Sequence, residues 1–242
     1  MIAMVRCLRR QSHVTLGEFQ DHWLLRARAA IGAMPLVRRS VQYHDLADDP
    51  VRPVLAQAKT SAAEAYDGAS IEWFDDVEAL SAHLAGDAFG LERSREDWFI
   101  DHARSTAQLV RPEVIFEPEA VDLVLFECLK RRPGQDFGEF TRIWHEHAVH
   151  GLSMRDHGWL RGYYQLHLLE PGPPPPLVAA LGTEPVEWDG FVLPYFASIV
   201  DIKVMSNSPH NQPGHDHALT FVDLDAWLVM TTRRHVIREL VS

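Results

Sequence analysis

The sequence predicts an α+β fold in which two βαββαβ repeats pack sheet to sheet as an intramolecular, pseudo-dimeric barrel. Three observations lead there. Val5 to Ala27 aligns without a gap on Phe126 to Ala148, Cys7 falling on Cys128, with eight of 23 positions identical in the pattern C-L-x-R-x(6)-G-E-F-x(3)-W-x(3)-A. Further landmarks recur in the same order: VQYH at Val41–His44 and YQLH at Tyr164–His167, YDG at Tyr66–Gly68 and WDG at Trp188–Gly190, and DHA at Asp101–Ala103 and Asp216–Ala218. Such self-similarity marks a tandem duplication. Its expected units are residues 1–118 and 121–242, with the junction near EPEAVD. Finally, hydrophobic periodicity alternates between strand and helix in the same sequence in each half.

The elements follow in order. Apolar runs at Ala3–Leu8 and Val121–Leu129 read as first strands. Segments of 3.6-residue periodicity, Leu16–Ala33 and Phe137–Met154, read as helices, with Thr15 or Asp136 as N-cap and Glu18 or Glu139 at the spacing of a capping box. Second strands end at His44 and His167. Long connections follow, Asp45–Ala65 and Leu168–Pro185, the latter with a polyproline run over Pro171–Pro176 that suits a stiff lid. Third strands (Ala69–Phe74, Phe191–Phe196) come after the Asp-Gly pairs, then helices (Val77–Ala85, Ile199–Met205), an irregular stretch, and last strands (Glu113–Phe116, Ala226–Thr231). This is the ferredoxin-like plan, an antiparallel sheet with helices on one face. The other face of each sheet is left apolar, so the two units should cover one another in cis.

Composition narrows the function. The chain has 242 residues, 46% hydrophobic and 24% charged, an ordinary globular balance. A net charge of −11 disfavours nucleic acid. Cys7 and Cys128 stand alone and far apart, which suits a reducing compartment and excludes a CxxC motif. No apolar run approaches the roughly 18 residues of a membrane span, and the N-terminus has too short an apolar stretch for a signal peptide. The expectation is a cytosolic protein, monomeric or homodimeric, with no membrane partner. GxSxG, P-loop and GxGxxG signatures are missing, and no cofactor or metal is expected.

The strand ending in L-K-R, then G-E-F-x(3)-W-x(2)-H, Q-x-H at the end of the second strand and D-G before the third resemble the EthD-domain family of dimeric α/β-barrel proteins, over nearly the whole chain, twice. The resemblance implies a small-molecule pocket between sheet and helices and a place in catabolic or polyketide chemistry. Its wider superfamily includes cofactor-free isomerases, decarboxylases, lyases and oxygenases. The halves differ where the motif matters: Trp144 and His147 in the second are answered by Trp23 and Arg26 in the first. That difference favours the second pocket as the catalytic one.

Phe140, Trp144 and His147 share a helix face, so His147 either reaches a cavity as general acid/base or is a satisfied core histidine. His44 and His167 end equivalent strands and join it as catalytic candidates, with Tyr164 and Tyr43 as donors to a substrate oxygen or as packing. Trp144 and Trp23 suit an aromatic ligand. Arg26 can hold a carboxylate or form a buried ion pair. His147 and His150 are the only pair in HEHAVH spaced to share a metal; His215 and His217 can bind one with His147 or stay solvated, and His217 is also a candidate to contact the substrate. The expected function is cofactor-independent proton transfer, of isomerase or lyase type, on a small anionic or aromatic oxygenated substrate such as a ring-cleavage acid. The alternatives are a non-catalytic binding protein for a hydrophobic metabolite and a heme-binding barrel.

Overall fold

A computed structural model describes residues 1–48, 51, 65–170, 181–183 and 188–239. Eight antiparallel strands close into a barrel: β1 (Ile2–Leu8), β2 (Arg39–Asp45), β3 (Gly68–Phe74), β4 (Thr106–Phe116), β5 (Leu123–Leu129), β6 (Gly162–Leu168), β7 (Gly190–Phe196) and β8 (Leu228–Arg238). Around the barrel they run β1-β3-β2-β8-β5-β7-β6-β4, and β4 returns to β1. Each half contributes four neighbouring strands in the order fourth, first, third, second. The expected Pro171–Pro176 lid lies outside the described residues.

The last strands do the closing. Val110 to Thr106 of β4 pair with β1, while Val110 to Phe116 pair with β6 of the other half. The same division holds for β8, between β5 and β2. Both are 11 residues long, well beyond the short last strands expected at Glu113–Phe116 and Ala226–Thr231. Their outer portions carry Pro112 and arginines and are only partly buried, so they lack the apolar signature of a core strand. The two halves therefore meet through ladder hydrogen bonds as well as through apposed faces.

Strand alternation divides the side chains cleanly. Ala3, Val5 and Cys7 of β1, Val41 and Tyr43 of β2, Tyr164 and Leu166 of β6, and Phe191, Leu193 and Tyr195 of β7 fill the barrel interior. Cys7 and Cys128 are both buried there, and no disulfide joins them. Alternate residues point outward and are covered by helices: α1 (Leu16–Ala30), α2 (Val77–Leu84), α3 (Asp87–Glu96), α4 (Phe137–Asp156), α5 (Ile199–Ser206) and α6 (Gln212–Ala218). The expected first helix runs on only as a single 3-10 turn, Ile31–Ala33. Helices α3 and α6 occupy stretches expected to be irregular. No helix among the described residues is long and apolar enough to cross a membrane.

Thr15 closes a full capping box with Glu18 at the start of α1, and the Asp136 side chain accepts the Glu139 N–H at the start of α4. Phe19 and Trp23 on α1, and Phe140 and Trp144 on α4, are the buried stripe of each long helix. Each tryptophan presses onto a glycine opening the third strand. A Cβ on Gly68 would stand 2.7 Å from Trp23, and one on Gly190 would stand 2.2 Å from Trp144. The aspartate before each glycine also has a role: Asp67 accepts the Arg10 N–H and pairs with its guanidinium, as Asp189 does with Arg131. These arginines tie the end of the first strand to the start of the third.

Candidate functional site

Between the outer face of the second-half strands and helix α4 lies a cavity of about 180 Å³. Leu129, Val192 and Pro194 form its floor, Trp144, Gly151 and Met154 its α4 side, and Met205, Phe221, Leu224 and Trp227 its far wall. Gly151 lets α4 settle onto Tyr163, whose ring would lie 2.6 Å from a Cβ there. The polar lining is sparse: Glu127, Asn211 and the histidines His147, His150 and His215. Glu127 accepts the Trp227 indole N–H at 3.0 Å. No lysine or arginine is among the described lining residues.

The histidines converge where α4 meets α6. His147 Nδ1 is 3.0 Å from His217 Nδ1, a hydrogen bond in which one ring nitrogen donates and the other accepts. His150, one turn along α4, completes a triangle: ring centroids are 5.1 Å apart for His147 and His150, 5.2 Å for His150 and His217, and 5.3 Å for His147 and His217. The edge of Phe221 braces His147. Burial, reinforced by the neighbouring rings of His150 and His217, lowers the His147 pKa to about 3. The ring is therefore neutral at physiological pH.

Several expected site residues lie elsewhere. Tyr43 and Tyr164 follow the strand alternation into the barrel interior, on the opposite face of the sheet from His147. There Tyr43 and Tyr195 share a hydroxyl contact of 2.9 Å, and Tyr164 donates to Glu117 at 2.6 Å while accepting from Arg39 at 3.3 Å. Burial pushes Tyr43 up to about 12. His44 and His167 do point toward the helices, where each is held against a tryptophan. His44 stacks on Trp23 at 4.9 Å and bonds Gln42, whose amide donates to the Trp23 carbonyl. His167 repeats this with Trp144 and Gln165. His167 also faces Glu113 at 3.3 Å, with His145 stacked over it at 4.1 Å. Burial lowers both His44 and His167 to about 3, reinforced by His235 and Arg28 at the first and by His145 and Arg111 at the second.

Arg26, for which a substrate carboxylate and an internal ion pair were both open, forms the ion pair, bound to Glu92 by two contacts of 2.9 Å. It lines a cavity of only about 50 Å³ in the first half, together with Arg6, Glu72, Arg93 and Glu96. Arg6 and Glu96 pair there at 2.8 Å, both well buried. The two halves thus hold unlike pockets at corresponding places, one small and filled with ion pairs, the other larger and apolar. His150, Tyr163, Glu127 and Trp227 of the larger one were not foreseen as lining. His150 carried the only advance signal, its helical spacing from His147.

Residues 132–225 match the model of the EthD domain. No curated protein matches the chain's sequence. Among solved structures, a monooxygenase candidate from Lactobacillus acidophilus NCFM superposes with a TM-score of 0.56 at 14% identity, covering 97% of this chain and 94% of that one. A monooxygenase candidate from Fusobacterium nucleatum gives 0.59 at 9% identity, with 97% and 93% covered. An anthrone oxidase-like protein gives 0.63 at 8% identity, with 100% and 95% covered. These likenesses identify the fold as the dimeric α/β barrel.

Proposed function

We propose that the EthD-domain half is the working half, and that its cavity binds a small, neutral, largely aromatic molecule bearing an enolisable or phenolic oxygen and removes a proton from it. The observation that carries this reading is the His147–His217 contact at the wall of an apolar cavity. With His147 donating its Nδ1–H to His217, its Nε2 lone pair is the proton acceptor, and because burial disfavours the imidazolium this weak base calls for a substrate whose own C–H or O–H is strongly acidified. The apolar walls keep water from the carbanion or enolate that results. Reprotonation at another carbon completes an isomerisation, and expulsion of a leaving group completes a lyase reaction. The name of one similar structure, anthrone oxidase-like, fits a substrate of this oxygenated aromatic class.

An anionic ring-cleavage acid is a poorer occupant. With Arg26 engaged by Glu92 and Glu127 in the lining, a carboxylate would enter an apolar site without a cation, at a large desolvation cost. The same reading takes residues 1–118 and 121–242 as two ferredoxin-like repeats fused in one chain. Matching strand orders in the two halves support it, as do the aligned motifs.

The test is exchange of solvent deuterium into a panel of anthrones, enol lactones and cyclic 1,3-diketones, followed by NMR. The parent protein should accelerate exchange at the acidic carbon, and His147→Gln should lower that rate at least about 100-fold with ligand affinity largely retained. Binding without any exchange across the panel would mark a carrier. Exchange unchanged by His147→Gln would move the base elsewhere.

A further inference from the structure

We propose that His147, His150 and His217 form a binding site for one borderline transition-metal dication of the zinc type. The three rings form a nearly equilateral triangle, and one ligand nitrogen from each lies within 4.8 Å of the others. Two nitrogens each about 2.0–2.1 Å from a tetrahedral ion stand roughly 3.3 Å apart, close to the 3.0 Å between Nδ1 of His147 and Nδ1 of His217. An ion replacing the shared proton therefore needs little movement of that pair, and His150 closes on it by side-chain rotation. Gly214 makes the arrangement available, since a Cβ there would lie 3.3 Å from His150 Cβ and hold α6 away from α4.

Donor chemistry sets the class of ion. Three imidazoles and no oxygen ligand suit Zn²⁺, Co²⁺, Ni²⁺ or Cu²⁺ and disfavour Mg²⁺ and Ca²⁺, which need oxygen. Because His147 and His150 line the cavity, the fourth coordination position opens toward it, as in zinc sites that keep an open place for water or a ligand. In the first half the aligned positions are Arg26 and Ala29, so one site per chain is expected. The inference does not rest on proton transfer by His147. An ion on Nδ1 shifts that ring's own proton to Nε2 and removes the acceptor, so metal and base compete for one residue.

A second group, Glu113, His145 and His167, also gathers three donors and provides the control. Tag-free protein stripped by chelator is titrated with Co²⁺ and Zn²⁺, reading cobalt d–d absorption and calorimetric heat. The expected result is one ion per chain with tetrahedral cobalt bands, weakened at least about 100-fold in both His150→Ala and His217→Ala and unchanged in Glu113→Ala. Circular dichroism confirms that the variants are folded. No uptake by the parent at 100-fold molar excess would overturn the proposal. So would uptake that Glu113→Ala abolishes, or that survives both histidine variants. Metal uptake without deuterium exchange leaves the site standing and removes the proton-transfer reading; exchange without uptake does the reverse.

Discussion

Gly68 and Gly190 are smallest where their neighbours are largest. Each opens a third strand beneath an indole from the long helix, and Gly190 has Leu166 O 3.2 Å from its would-be Cβ on the other side. Gly190→Ala should therefore destabilise the fold by about 2–3 kcal/mol through overpacking, measurable as a lower midpoint in urea with an unchanged slope. Buried neutral histidines give a second effect at this scale. The unfolded chain takes up a proton at His44 and at His167 near the ordinary 6.5, whereas the folded rings do so only near 3. Between those values the unfolded state binds more protons, so stability should fall as pH drops, by about 1.4 kcal/mol per pH unit for each ring. His44→Gln should flatten that slope by one such increment in melts between pH 6.5 and 4; an unaltered slope would show that His44 titrates normally. The sequence made the tryptophan, Asp-Gly and histidine landmarks visible. It did not by itself sort Tyr43 and Tyr164 away from the site, although adjacent strand residues such as Tyr43 and His44 must face opposite ways. Parity along the strand separates packing from pocket there, and residue type does not.

At the scale of elements, the long helices were readable because cap and stripe agree. Thr15 with Glu18 and Asp136 with Glu139 set their starts, and phenylalanine and tryptophan four residues apart set their buried faces. Asp136→Ala should cost about 1 kcal/mol, seen as a lowered melting temperature with exchange of the first α4 amides quickened. The elements missed are those whose order comes from tertiary contact. The outer half of β8 is rich in arginine and is a strand because it pairs with β2. Short α6 holds no long apolar stripe, yet it brings His217 to His147 from 70 residues away. One corner of the histidine triangle thus depended on a helix that local propensity did not announce, which is why an irregular stretch was expected around His215 and His217.

For the whole molecule, the barrel form was legible from the repeat, since two sheets with bare apolar faces in one chain have each other as nearest cover. The manner of closure was not, because it depends on long-range pairing of β2 with β8 and of β4 with β6. If the halves are equivalent folding units, a fragment of residues 121–242 should not persist as a monomer. Light scattering should find it dimeric or aggregated, the freed β6 and β8 pairing with a second copy. A stable monomeric fragment would show instead that each half is self-sufficient.

Trp144 has a use beyond the packing described for it. It sits in the wall of the larger cavity with His167 only 4.1 Å from its ring, while Trp23 occupies the matching place over the smaller one, which is lined by ion-paired side chains. The chain consequently carries an optical reporter of occupancy. Light emitted by Trp144 should change when a molecule enters beside it, and a Trp144→Phe difference spectrum would isolate that signal from Trp227 in the same wall and from the other tryptophans.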